Sequence, residues 1–282
     1  MSPSSVTPSA PIGVIIVGAS GNMGREAVQA VLGTDDLTLL AAISPSKVGE
    51  DAATVAGLNQ PCGVPLSANL DEAHRRISQQ SFSGPVVALE LTHPEGLLDR
   101  VQQCITYGWR PVVGASGLAE VTQTSLNTQL KQCQLGGAII PNFAIGAVLM
   151  MRFAREAAAY FDHVEVIELH HNRKKDAPSG TAAHTAQSLS QHHAHPFNVP
   201  RVEETQSIEG ARGAQLTNGV RVHSVRLPGL VAHQEVLFAG EGELLSLRHD
   251  SFNRLCFMPG VLRAIRGVVS HTGLVVGLEA YL

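Results

Sequence analysis

The sequence predicts an α/β chain: a Rossmann-like parallel-sheet dinucleotide domain, and a central α+β domain with an open mixed or antiparallel sheet. Three observations carry this. A short, nearly all-apolar run ends in a glycine-rich turn near the amino terminus. Strand-like and helix-like segments then alternate up to about residue 142. Beyond that point the rhythm gives way to segments alternating in the manner of half-buried strands.

The elements follow in order. Ile12–Val17 is β-branched and apolar on consecutive positions, as expected of a parallel strand covered on both faces. The turn "VGASGNMG" follows, then a helical pattern closed by Gly33. Leu37–Ser44, Pro85–Thr92, Arg110–Gly117 and Gly136–Phe143 read as further strands. Pro94–Tyr107 and Leu118–Gln132 read as helices. In the second part, Gly146–Phe161 is an amphipathic helix and Val164–His171 a strand. Gly219–Gly229 and Gln234–Asp250 read as antiparallel strands, the latter a hairpin around Gly240, Glu241 and Gly242. Phe257–Val269 is helical again, with Pro259 near its start.

Composition bounds the function. The chain has 282 residues, 44% hydrophobic and 16% charged, enough to bury a core in about two domains. A formal net charge of −4 argues against a general nucleic-acid binder, and no apolar run has the length of a membrane span. Cys62, Cys104, Cys133 and Cys256 are scattered, so they read as reduced thiols in a cytosol-like compartment, with a plastid-like organelle as the other setting. Residues 1–11 read as a flexible tail; they carry neither the basic nor the apolar region of a signal peptide.

Gly18, Gly21 and Gly24 stand at the carboxyl end of the first strand. Glycine there lets the chain turn sharply and lets a pyrophosphate approach the backbone, at a helix start rich in free N–H groups. The spacing is GxxGxxG, with Ser20 where the stricter form has its second glycine. The second strand ends "AAISPSKVG", with no carboxylate to hold a ribose 2′-hydroxyl before Glu50. Ser44 and Lys47 would instead receive a 2′-phosphate, which predicts NADPH as the preferred cofactor, with NADH possible.

A second concentration of chemistry is "ELHHNRKKDAPSGTA", Glu168 to Ala182. A strand ends in His170 and His171, and a cationic loop follows. Ser179 is placed to cap the next helix, so Ser179, Gly180 and Thr181 offer hydroxyls and N–H groups to an anion. A lysine adds charge, and a histidine exchanges protons near neutral pH. A solvated turn is the plain alternative, and the dinucleotide context weighs against it. His192–His195 lacks partners for a metal, and no metal is expected. Met150, Met151 and Trp109 read as packing.

Taken together, "ELHHNRKKDAPSGTA", "VGASGNMG", the Thr-x-Pro-Glu-Gly at Thr92–Gly96, "GASG" and "PNFAIG" resemble the 4-hydroxy-tetrahydrodipicolinate reductase family, also called dihydrodipicolinate reductase, over nearly the whole chain. The first fits the family pattern E-x-H-H-x-x-K-x-D-A-P-S-G-T. The resemblance implies a dinucleotide domain of residues 12–142 completed by 255–282, and a substrate and oligomerisation domain of residues 143–254. It implies His170 as proton donor, Lys174 as catalytic lysine, and His171, Gly180 and Thr181 as substrate contacts. Cofactor contacts would be Gly18, Ala19, Ser20, Gly21, Asn22 and Met23, then Gly114, Ala115 and Ser116, then Ile140, Pro141, Asn142 and Phe143. The implied substrate is a small cyclic dicarboxylate, reduced to tetrahydrodipicolinate in lysine and diaminopimelate biosynthesis; the implied assembly is a homotetramer. Two departures stand out: His93 takes the place of a frequent arginine, and Lys175 adds a charge beside Lys174. A semialdehyde dehydrogenase would need an activated cysteine, and none adjoins a histidine or a glycine-rich turn. A non-enzymatic NADP-binding sensor would have no use for His170 and Lys174.

Overall fold

The computed structural model describes residues 10–114 and 118–282 and divides into two compact units. One runs to Phe143 and resumes at Phe257–Leu282; the other spans Ala144–Cys256. Most of the tail, residues 1–9, lies outside the described residues, as do Ala115 and Ser116.

In the first unit the strands are β1 (Ile12–Val17), β2 (Leu37–Ile43), β3 (Leu66–Ser67), β4 (Val86–Glu90), β5 (Arg110–Val113), β6 (Gly136–Ile139) and β12 (Gly273–Val276). They form one seven-stranded sheet in the order β12-β6-β5-β4-β1-β2-β3. Every described pair is parallel. This is the Rossmann-like order with β12 added at one edge. All six residues of β1 are buried, which is why its sequence shows no alternation. The helices are α1 (Asn22–Leu32), α2 (Ala52–Ala56), α3 (Leu70–Ser78), α4 (Leu97–Thr106), α5 (Glu120–Gln132) and α8 (Met258–Gly267). Trp109 is buried beside Cys104, Ala73 and Ile15, a packing role. β3, α2 and α3 have no counterpart among the expected elements: two are very short, and α3 is a mostly polar helix capped by Asn69, which accepts from the Glu72 N–H at 2.9 Å.

In the second unit a five-stranded mixed sheet has the order β11-β10-β7-β9-β8, with β7 (His163–His170), β8 (Ala214–Gln215), β9 (Arg221–Arg226), β10 (Ala232–Gly240) and β11 (Glu243–Ser251). β10 and β11 form the expected hairpin, and its turn places Gly242 at φ +78. β9 differs from expectation: it is antiparallel to β8 yet parallel to its longer partner β7. Nothing in a strand's own pattern distinguishes these pairings, because the direction is set by the long connection through α7 (Gly180–Leu189). Val164, Val166, Val222, Val236 and Phe238 pack with Ala154 of α6 (Ile145–Ala157) and with Ala182, Ala186 and Leu189 of α7. Met150 and Met151 are buried in α6.

Candidate active site

Strand order reverses between β1 and β4, and the crevice at the carboxyl ends of such strands is where open α/β sheets bind ligands. A groove of about 720 Å³ lies there. Gly18, Ser20 and Gly21 line it, with Ser44 and Ser46 after β2, and Thr92 and His93 after β4. The glycines are there for different reasons. Gly18 sits at φ +88, where side chains are strained. A Cβ on Gly24 would lie 2.1 Å from the Gly18 carbonyl oxygen, so only glycine lets α1 pack this close to the turn. Gly21, the residue before α1, would meet only the Gly18 oxygen, at 3.2 Å, leaving the helix start approachable. A pyrophosphate fits this cradle.

Hydroxyls tie the turn to the end of β2: Ser20 Oγ is 2.6 Å from Ser44 Oγ, which is 3.2 Å from Ser46 Oγ. Ser44 is buried and makes hydroxyl contacts with both neighbours, which its sequence position alone did not show. Lys47 does not line the groove; its Nζ lies 3.1 Å from Glu50, an exposed pair of the kind that contributes little and that a stronger anion displaces. Asn22 accepts from Arg25, and Met23 is half-buried. Ile140 and Phe143 are buried, and a Cβ on Gly114 would lie 3.1 Å from the Phe143 ring. Pro141 is exposed.

Sequence reasoning missed a clasp beside this groove. Glu90, buried at the end of β4, meets Arg100 Nε at 2.9 Å and the Thr92 N–H at 2.8 Å. Arg100 also donates to the carbonyls of His93 and Glu95, each at 2.8 Å, holding the Thr92–Glu95 loop at the groove's edge. A charged residue at the last position of an apolar strand was the available signal.

The second concentration of polar groups lies in the other unit, at the end of β7. Glu168 is fully buried. Its Oε1 accepts from Arg226 Nη2 at 2.7 Å and from the Ser179 N–H at 3.1 Å. Its Oε2 accepts from Arg226 Nη1 at 2.8 Å and meets His170 Nδ1 at 2.5 Å. Burial alone would raise this carboxyl; Arg226, Ser224 and His170 outweigh burial and hold it at about 2. Burial lowers the His170 pKa below the usual histidine value, with Lys174 and Arg226 acting the same way and Glu168 opposing them.

Ser179 caps α7 as expected: its Oγ accepts from the Ala182 N–H at 3.2 Å. The cap uses a lone pair of that hydroxyl and leaves its hydrogen to give, so Ser179 and the helix's N–H groups are both suited to an anion. A side chain on Gly180 would meet open space. His171 Nδ1 is buried and has no hydrogen-bond partner among the described residues. Lys174 Nζ meets Asp176 at 2.8 Å. Glu168 and Arg226 received no role from the sequence. For Glu168 a signal was present: strict alternation makes it an inward position after Val164 and Val166, though nothing there pointed to Arg226 as its partner.

Other features are structural. His193 stacks on Phe197 with ring centroids 4.2 Å apart. Among the described residues no three His, Cys, Asp or Glu side chains converge as metal ligands, and no helix is long and apolar enough to cross a membrane. Burial pushes the Cys104 thiol up to about 12, the opposite of an activated nucleophile.

The parallel sheet, its glycine-cradled groove and the acid–base cluster define an NAD(P)H-dependent oxidoreductase. The family model "Dihydrodipicolinate reductase, N-terminus" matches residues 12–143, and "Dihydrodipicolinate reductase, C-terminus" matches residues 146–282. The chain belongs to the dihydrodipicolinate reductase family. It is 49% identical to the 4-hydroxy-tetrahydrodipicolinate reductase of Nostoc sp. over 98% of its length and 100% of the relative's. It is 48% identical to that of Mastigocladus laminosus, over 96% and 98%. Among solved structures, dipicolinate-bound dihydrodipicolinate reductase from Paenisporosarcina sp. TG-14 is similar, with TM-score 0.82 and 42% identity over 96% of this chain and all of that one. An amine dehydrogenase from Mycobacterium smegmatis, at 16% identity and TM-score 0.64, shares the fold.

Proposed function

We propose that the chain reduces 4-hydroxy-tetrahydrodipicolinate to tetrahydrodipicolinate in lysine and diaminopimelate biosynthesis. The observation that carries this reading is the Glu168 carboxylate. It holds the His170 ring and the Ser179 backbone at once, joining an acid–base group to an anion-binding helix start. Such a pairing suits a substrate that is anionic and must gain a proton. Dipicolinate, bound to the solved relative, is a cyclic dicarboxylate of that kind.

The first unit would hold the dinucleotide through Gly18–Met23, with Gly114 and Ile140–Phe143 beside it, and with Ser44 and Lys47 at the 2′ position. The second would bind substrate and form the homotetramer. A bound nicotinamide supplies the hydride. The chain's own residues do the rest. The α7 N-terminus, with Thr181 and Gly180, binds one carboxylate, and His171 adds a ring nitrogen. Lys174 exchanges Asp176 for the substrate's charge. His170 gives its proton to the ring carbon adjacent to the one receiving hydride. Fixing the ring against these groups removes orientational freedom before the reaction, a large part of the rate. NADPH preference is part of the same reading. It rests on the absence of a carboxylate at the end of β2 and on the ease of displacing Glu50 from Lys47.

The test is consumption of NADPH on adding freshly prepared cyclic substrate, with the product identified by mass. Cofactor binding without turnover would sink the enzymatic reading and favour an NADP-binding sensor.

A further inference from the structure

We propose that Glu168 and Arg226 act as positioning residues for His170: the carboxylate, gripped by the guanidinium, accepts a hydrogen bond from Nδ1–H and leaves Nε2 as the nitrogen that delivers the proton. The proposal rests on the reading of His170 as proton donor and deepens it.

The hydrogen-bond inventory forces the assignment. An ionised carboxylate has acceptors and no hydrogen to give. Both oxygens of Glu168 already accept from Arg226, and Oε1 also accepts from the Ser179 N–H. The contact between Oε2 and His170 Nδ1 therefore places the hydrogen on the ring. That fixes one neutral tautomer, with Nε2 the site that is protonated and then discharged. A ring free to choose would spend part of its time taking up and losing its proton at Nδ1 instead.

Arg226 is itself held. Nη2 donates to the Asp176 carbonyl and Nη1 to the Val225 carbonyl, each at 2.8 Å. The guanidinium thus joins the carboxylate on β7 to the loop carrying Lys174, and β9 brings it opposite His170 in register. The planar fork makes a two-point grip that a lysine cannot reproduce. A carboxylate beside histidine plays the same orienting part in unrelated hydrolases.

The charged groups facing His170 are Glu168 on its own strand, Arg226 on β9, and Lys174 in the following loop, where Asp176 pairs with Lys174. Among them Glu168 alone favours the protonated ring; burial, Lys174 and Arg226 oppose it. Removing the negative charge therefore makes the imidazolium harder to form. A rate that depends on the imidazolium falls as pH rises through the histidine's pKa, so that fall moves to lower pH.

The experiment uses the full-length enzyme. Glu168→Gln and Glu168→Asp are first checked for folding and NADPH affinity, then assayed for kcat against pH. The imidazole nitrogens of wild-type His170 are assigned by NMR. Glu168→Gln is expected to lose about 100-fold in kcat, the lower end of what a positioned acid contributes, with NADPH affinity unchanged, and its high-pH limb to move down. Glu168→Asp, which keeps the charge, is expected to recover most of the loss. Wild-type neutral His170 is expected to carry its hydrogen on Nδ1. A folded Glu168→Gln enzyme with wild-type kcat and pH profile would overturn the proposal. So would a hydrogen on Nε2, and that measurement decides alone where Glu168→Gln does not fold. If His170→Gln keeps full turnover, the donor reading itself fails. If His170→Gln is inactive while Glu168→Gln is unchanged, only the positioning role fails.

Discussion

At the end of β1 the chain makes room by leaving side chains out; at the end of β7 it packs charge in. Gly18, Gly21 and Gly24 create the groove, and its glycine turn is tied by backbone and neutral hydroxyls, with the Glu90–Arg100 pair kept to the groove's edge. Glu168, Arg226 and His170 form a part-buried ionic network around a fully buried carboxylate, both of whose oxygens are occupied. The difference follows from the two tasks. A dinucleotide brings its own charge and chemistry, so the protein supplies shape and free N–H groups. A proton transfer must be supplied by the protein, with one ring nitrogen held in one state.

The comparison breaks most visibly at its charged end. His170→Gln is expected to cut turnover by about two to four orders of magnitude while leaving NADPH affinity intact, the usual contribution of a positioned acid. Steady-state kinetics with direct NADPH titration check both halves. Turnover near wild type would remove His170 from the reaction.

At the uncharged end the sensitive atom is one that is absent. In Gly24→Ala the new Cβ would lie 2.1 Å from the Gly18 oxygen and 2.7 Å from the Ala19 Cα, both backbone atoms with little freedom to yield. Destabilisation of about 1–3 kcal/mol is expected, with weaker cofactor binding as the turn shifts. Thermal melting with and without NADPH measures both; an unchanged melt would mean that the turn gives way more easily than the packing suggests.

These two regions were not equally legible in the sequence. β1, its turn and α1 could be read because burial on both faces, punctuation by glycine and helical periodicity all act locally. The cap at Ser179 was legible for the same reason. The Glu168–Arg226 pair was not, because its partners are separated by 58 residues and meet only through the pairing of β7 with β9. The parallel direction of that pairing was hidden too, since a strand's own pattern carries no sign of its neighbour's direction. Ser44 shows the converse: its position at the end of β2 was readable, but its engagement with Ser20 came from a contact across the turn.

The charged network also predicts an acid response. Glu168 is held at about 2, below its ordinary 4.5. A carboxyl lowered by folding stabilises the fold at pH above its unfolded value and loses that contribution as pH falls through the folded one. The window is therefore about pH 4.5 down to 2, and the loss is roughly 2–3 kcal/mol. Urea melts of wild type and Glu168→Gln across that range isolate it: the wild type should lose this increment and the variant should not. Parallel acid profiles would show that the pair contributes nothing to the folded state's preference for ionised Glu168.

The smallest expected effect tests cofactor choice, where the neutral region meets a charge. The end of β2 offers Ser44 and Ser46, and Lys47 stands nearby in an exposed pair with Glu50. An NADPH 2′-phosphate arriving there finds no resident carboxylate lining the end of β2 and a lysine whose present partner holds it weakly. Ser44→Glu places a negative charge at the groove and removes the hydroxyl that links Ser20 to Ser46. Charges a few ångströms apart near a protein surface repel by about 1–4 kcal/mol, so kcat/KM for NADPH should fall at least about fivefold relative to NADH. A loss equal for both cofactors would mean that the damage came from the broken hydroxyl link, and Ser44→Ala, which breaks the link without adding charge, measures that contribution separately. If Ser44→Glu leaves the NADPH to NADH ratio where Ser44→Ala does, the end of β2 does not read the 2′ position.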